Sequence, residues 1–111
     1  MTAKGVNEDF AQDLSVEERN LVFTTQSPTQ GALLGTAFTK PAWRTKPSWF
    51  IVAENDRAIS PVQERSTAER MKAKILSLPS SHLPMLSQPE KVANFVIEAA
   101  ASLGASTVPA R

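Results

Sequence analysis

The sequence predicts an α/β fold in which a strand-helix-strand-helix unit over residues 48–104 follows a helical segment over residues 1–40. Three observations predict it. The run SWFIVA, Ser48 to Ala53, is aromatic, β-branched and uncharged, the composition of a strand buried on both faces and too short for a free-standing helix. KILSL, Lys74 to Leu78, alternates in the manner of a second strand. Between them, Ser60-Pro61-Val62-Gln63 puts a hydroxyl at an N-cap, proline at the first helical position and glutamine at the third.

Taken in order, the chain first shows Ser15 with Glu18 three residues on. This is the pattern of a capping box, and it predicts a helix from Val16 to Thr25 that stops before Pro28. Gln30 to Phe38 predicts a second short helix, weakened by Gly31 and Gly35. Pro41 and Pro47 bracket residues 41–47, a linker that no helix can cross. The helix opened by Pro61 is expected to run to Ala73. After residues 79–86, PSSHLPML, a second capping-box pattern, Ser87 with Glu90, precedes Val92, Phe95, Val96, Ala99 and Leu103 at helical spacing. A long closing helix should therefore end at Gly104, leaving ASTVPAR, residues 105–111, as a frayed tail. No internal repeat is present.

Composition narrows the function. The 111 residues, 41% hydrophobic and 21% charged, make one ordinary globular unit able to bury a core. A net charge of +1, with Lys and Arg spread along the chain, gives no footprint for nucleic acid. No run approaches the ~20 apolar residues of a membrane helix, and MTAKGVNEDF lacks the apolar centre of a secretion signal, so the expectation is a soluble, cytoplasmic chain. The absence of cysteine excludes disulfides, thiolate zinc sites and a cysteine nucleophile, and His82 is the single histidine; no metal or cofactor is expected. The turn AENDRAISP has no glycine for close approach to phosphate, which argues against a nucleotide-binding unit.

Strand, helix, strand with short connections implies a parallel pair joined by a right-handed crossover, and both strands then end on the same edge. The loop after the first strand holds Asp56 and the loop after the second holds His82, so neighbours at ~4.8 Å bring carboxylate and imidazole together. An acid beside a histidine is the orienting and base pair of a serine hydrolase. Glu54 is a competing carboxylate on the same loop, and a turn after a strand uses Asp for local hydrogen bonds in any case. Arg57 reads as solvated or salt-bridged, and Trp43, Trp49 and Phe50 as packing residues. Leu83, Met85 and Leu86 read as core. Ser80 and Ser81 adjoin His82 but lack the strained strand-to-helix turn of a hydrolase nucleophile.

PSWFIVAENDRAISP and LPSSHLPMLSQPEKVANFVIEAA closely resemble the last two strand-helix units of the α/β-hydrolase superfamily, in the branch of hydroxynitrile lyases and methyl esterases. Asp56 with Ile59 and Pro61 is similar to that family's acid turn, which favours Asp56 over Glu54. His82 with Ser87, Pro89 and Glu90 is similar to its histidine loop and final helix. Residues 10–49 resemble the end of the cap and the return to the core, so the resemblance spans Gly5 to about Leu103. It implies a Ser-His-Asp triad with His82 as base and Asp56 as acid, acting on a small-molecule ester. Family members are considerably longer and carry a G-x-S-x-G elbow. The glycines here, at 5, 31, 35 and 104, bracket no serine at that spacing. The expectation is a C-terminal hydrolase portion, inactive alone. The alternative is a non-enzymatic interaction domain that pairs as a homodimer, because two parallel strands leave an edge and two faces to cover.

Overall fold

A computed structural model of the chain describes residues 1–104, so the expected tail at 105–111 lies outside the described residues. The chain opens with a short helix α1, Ala3–Gly5, whose N-terminus is capped by the Thr2 hydroxyl accepting from the Gly5 amide at 3.1 Å. It continues into a π-helical turn, Val6–Phe10. Helix α2, Val16–Thr25, begins on the expected capping box: the Ser15 hydroxyl accepts from the Glu18 amide, and the Glu18 carboxylate accepts from the Ser15 amide at 2.9 Å. Val6, Ala11, Leu14 and Val22 form a small core between these pieces, with Phe10 and Leu83 packed against it. The N-terminal segment thus rests on the loop that carries His82.

The second short helix expected at Gln30 to Phe38 is reduced to a 3₁₀ turn, Gly31–Gly35, followed by another at Ala42–Arg44. Leu33, Leu34 and Phe38 stay exposed, so no burial offsets the helix cost of the two glycines.

The second half follows the expected order: β1 Trp49–Ala53, α3 Pro61–Arg70, β2 Lys74–Leu78, α4 Pro84–Ser87 and α5 Pro89–Gly104. The strands are parallel neighbours in register from Trp49 opposite Lys74 to Ala53 opposite Leu78. Burial departs from expectation. Only Val52 and Ala53 of β1 are buried, while Trp49, Phe50 and Ile51 are half-buried, because among the described residues the sheet has two strands and cannot cover both faces.

Helix α3 ends three residues before the expected Ala73. Lys72 turns into the left-handed region at φ 52°, and its amide and that of Ala73 take the Glu69 and Ala68 carbonyls. The Ser60 hydroxyl makes no cap, and Ser87 closes α4 instead of capping α5. Of the apolar stripe on α5, Phe95 is buried whereas Val96 and Leu103 are exposed. Met85 and Leu86 are exposed too, and only Leu83 of that trio joins a core. Extents of 51 × 33 × 29 Å describe an elongated body. Its accessible surface of 8354 Å² compares with about 6,000 Å² for a compact chain of this mass. None of the described helices is long and apolar enough to cross a membrane.

Candidate active site

The parallel ladder does not stop at the ends of the strands. The Glu54 amide donates to the Leu78 carbonyl at 2.8 Å and the Asn55 amide to the Ser80 carbonyl at 3.1 Å, so the two following loops leave the sheet side by side. Asp56 and His82, 26 positions apart, meet there: His82 Nδ1 lies 2.6 Å from Asp56 Oδ2. The Asp56 side chain is fully buried and that of His82 is 29% exposed. Glu54, the competing carboxylate, is exposed and lines a hollow of about 310 Å³ with Val52, Val62 and Arg65, away from the imidazole.

Asp56 is held by more than the histidine. Its Oδ1 accepts from the Ala58 amide at 2.7 Å and the Ile59 amide at 3.0 Å, a tight turn that makes Asp the residue for this position. Burial by itself would raise the carboxyl. Hydrogen bonds from the Ile59 amide, the His82 ring and the Ala58 amide outweigh burial and hold it below the usual carboxylate range. An ionised carboxylate only accepts, so the hydrogen at Nδ1 belongs to the ring, and Nε2 of the neutral imidazole is the basic nitrogen. Among the described residues nothing hydrogen-bonds Nε2. The arrangement can therefore take up a proton at one outward nitrogen and stabilise the resulting imidazolium from behind.

Three residues that sequence patterns do not single out complete the site. The Phe10 ring lies on the His82 ring with centroids 4.7 Å apart. The Asp13 carboxylate accepts from the Ser81 amide at 2.8 Å; burial would raise this carboxyl, but the Ser81 hydroxyl and amide win and keep it low. Glu64, in the first turn of α3, accepts from the Ala53 amide at 2.8 Å and faces Asp56. Its signal was its place one turn into the helix that follows the acid loop, which returns it over the end of β1. Gln12 and Arg57 add clasps: Gln12 Nε2 donates to the Asn55 carbonyl at 2.7 Å, and Arg57, expected as solvated or salt-bridged, donates to the Glu8 carbonyl at 2.9 Å. Ser80 and Ser81 are buried in the loop, and the Ser81 hydroxyl accepts from the Leu83 amide at 3.4 Å.

Ligand atoms of Asp56, Glu64 and His82 fall within 4.8 Å of one another, a set of the kind that can hold a divalent cation. Here they are engaged with one another and with the Ala53 amide, which fits proton sharing better than coordination.

A family model described as the alpha/beta hydrolase family matches residues 2–95. The chain belongs to the alpha/beta hydrolase family. Comparison with curated proteins and with solved structures found no match. An acid and a histidine following consecutive parallel strands suit an alpha/beta hydrolase, in which sites gather at the carboxyl ends of the strands. The G-x-S-x-G elbow of that family occurs nowhere in these 111 residues.

Proposed function

We propose that this chain supplies the acid and base of a Ser-His-Asp hydrolase of the hydroxynitrile lyase and methyl esterase branch, with the nucleophile and oxyanion donors contributed from outside these residues. The observation that carries the reading is the 2.6 Å contact between a buried carboxylate and a partly exposed imidazole whose Nε2 has no hydrogen-bond partner among the described residues. In the assembled enzyme a serine hydroxyl adds to an ester carbonyl as its proton passes to His82 Nε2. The imidazolium, steadied by Asp56, returns that proton to the departing alkoxide and leaves an acyl-enzyme. Water repeats the transfer, releasing the acid and restoring the serine. Alone, the pair has no nucleophile to activate and no oxyanion hole to stabilise charge, and the chain turns over no ester.

The test is complementation. Joined behind the nucleophile-bearing half of a hydrolase of this branch, the chain should restore ester hydrolysis, and His82→Ala should lower kcat by about 10⁴-fold or more. A folded hybrid with Asp56 and His82 intact and no ester hydrolysis, or a rate indifferent to His82→Ala, would overturn the reading.

A second reading, self-association of the chain as a non-enzymatic interaction domain, is favoured by the surplus surface and by Leu34 and Phe38, 89% and 87% exposed. A two-fold dimer would cover the open edge of β1 or the apolar faces. Sedimentation equilibrium should find a dimer, and a stable monomer at high concentration counts against it.

A further inference from the structure

We propose that Glu64 is a positioning residue of the site: of the two carboxyl groups that meet there it is the one that carries the shared proton, which it donates in a hydrogen bond to Asp56. This rests on the reading of Asp56 and His82 as an acid–base pair, and it adds a residue to that pair.

Two carboxyl groups and an imidazole offer ligand atoms within 4.8 Å of one another. Carboxylates so close in a covered site resist ionising together, so one of them keeps its proton to higher pH than the other. Hydrogen-bond donors decide which. Asp56 accepts from two amides and the His82 ring, three donors that favour its charged form. Glu64 accepts from one amide, that of Ala53. The proton therefore resides on Glu64, and with one carboxyl oxygen taken by the Ala53 amide, its hydroxyl is free to donate to Asp56. Burial pushes Glu64 up, as do the hydrogen bond to Asp56 and the charge on Asp56, against the Ala53 amide and His82. Asp56, from the loop after β1, and His82, from the loop after β2, are the titratable groups that face it.

The arrangement has a consequence for the pair. A protonated Glu64 leaves a single negative charge behind His82 and turns the Asp56 carboxylate toward the ring. An ionised Glu64 would place a second charge there and compete with Asp56 for its donors. A purely structural Glu64 would be an ionised cap on the Ala53 amide at the open edge of β1, where alternate strand amides point away from β2.

The experiment is carboxyl ¹³C and imidazole ¹⁵N NMR across pH on the intact 111-residue chain, in which His82 is the single histidine. The Glu64 carboxyl is expected to ionise above the ordinary glutamate range while Asp56 stays ionised. Glu64→Gln keeps both a donor for Asp56 and an acceptor for Ala53, so the Asp56 titration and the hydrogen on His82 Nδ1 should be unchanged. Glu64→Leu removes both and should shift the Asp56 carboxyl and Nδ1 proton resonances. A Glu64 carboxyl that ionises in or below the ordinary range overturns the proposal. So does a Glu64→Gln variant in which the Asp56 titration moves to lower pH, the mark of a lost neighbouring charge. The wild-type carboxyl titration decides the matter even if a variant fails to fold. A His82 ring lacking a hydrogen at Nδ1 would instead remove the acid–base pair itself, a failure visible in the nitrogen spectrum and separate from that of Glu64.

Discussion

Removing the Asp56 side chain tests the physical centre of the site. Asp56→Ala strips the acceptor from three donors at once: the His82 ring at 2.6 Å and the Ala58 and Ile59 amides at 2.7 and 3.0 Å. Hydrogen bonds to a charged acceptor are individually worth about 1.5–3 kcal/mol, but the loop can relax, water can reach some donors, and the cost of burying a carboxylate is recovered. The net expectation is a loss of about 2–4 kcal/mol, a large share of the stability of a domain this size. Asp56→Asn is the discriminating control. It keeps an oxygen for the two amides and replaces the other with an NH₂ facing Nδ1, so the ring must switch tautomer. That variant should lose about 1–2 kcal/mol. Urea unfolding followed by the fluorescence of Trp43 and Trp49, the two tryptophans of the chain, reads both. Trp49 lies in β1 itself and reports on the strand that leads into the loop. If Asp56→Ala stays within about 0.5 kcal/mol of wild type, the three bonds do not hold the loop and the energetic reasoning fails.

The dependence of stability on pH should rise and then fall. Asp13, Glu18 and Asp56 are held below their ordinary values, so their contributions are present above 3.8 for Asp13 and Asp56 and above 4.5 for Glu18, and are lost as pH falls through the folded values. Glu64 is raised above 4.5, so its contribution is full below that pH and lost as pH rises through its folded value. Thermal scans should show both limbs, and Glu64→Gln should flatten only the alkaline one. A steady rise of the melting temperature through the neutral range that Glu64→Gln leaves unchanged would contradict the assignment. At the end of α3, Lys72 at φ 52° pays the steric cost of a left-handed side-chain residue. Lys72→Gly should gain about 0.5 kcal/mol in urea unfolding, less than the strain relieved because glycine also loosens the unfolded chain. A destabilised variant would show that the lysine conformation is unstrained.

The parts of this fold that were legible in the sequence are those set by neighbours along the chain or by topology. The capping box of Ser15 and Glu18 needs four residues and formed as expected. β1 and β2 were marked by composition, and the rule that consecutive parallel strands end on one edge carried Asp56 to His82 across 26 positions without any local signal linking them. What was not legible depends on surfaces that only the folded chain creates. Asp13 finds the Ser81 amide 68 residues away, and nothing in the segment around Asp13 distinguishes it from an ordinary surface acid. Residues 31–35 carry enough apolar character for a helix, but with nothing to bury against they relaxed to a single 3₁₀ turn. The half-buried Trp49 and Phe50 show the same dependence: a strand's composition records the neighbours it is built for, and its burial records those it has.

That distinction bears on the Asp56–His82 contact. If the contact between Asp56 and His82 depended on covering the sheet, its geometry would be expected to loosen along with the half-buried strand. Every hydrogen bond that fixes it is internal. The Ala58 and Ile59 amides hold Asp56, the Glu54 and Asn55 amides lock the acid loop to the histidine loop, and the Asp13 carboxylate pins Ser81 beside His82. Phe10, seated on the core of Val6, Ala11, Leu14 and Val22, presses on the imidazole from the N-terminal segment. Among the described residues, large apolar side chains stay exposed away from the pair, at Leu34 and Phe38 before the sheet and at Val96, Ile97 and Leu103 on α5, and also close to it in sequence, at Ile59, Met85 and Leu86. Among the described residues, the hydrogen bonds that hold the Asp56–His82 contact all fall within residues 13–82 and do not depend on covering the half-buried strand or the exposed helix surface. A cover over Leu34, Phe38 and the outer face of α5 would therefore have little to rearrange at Asp56 and His82.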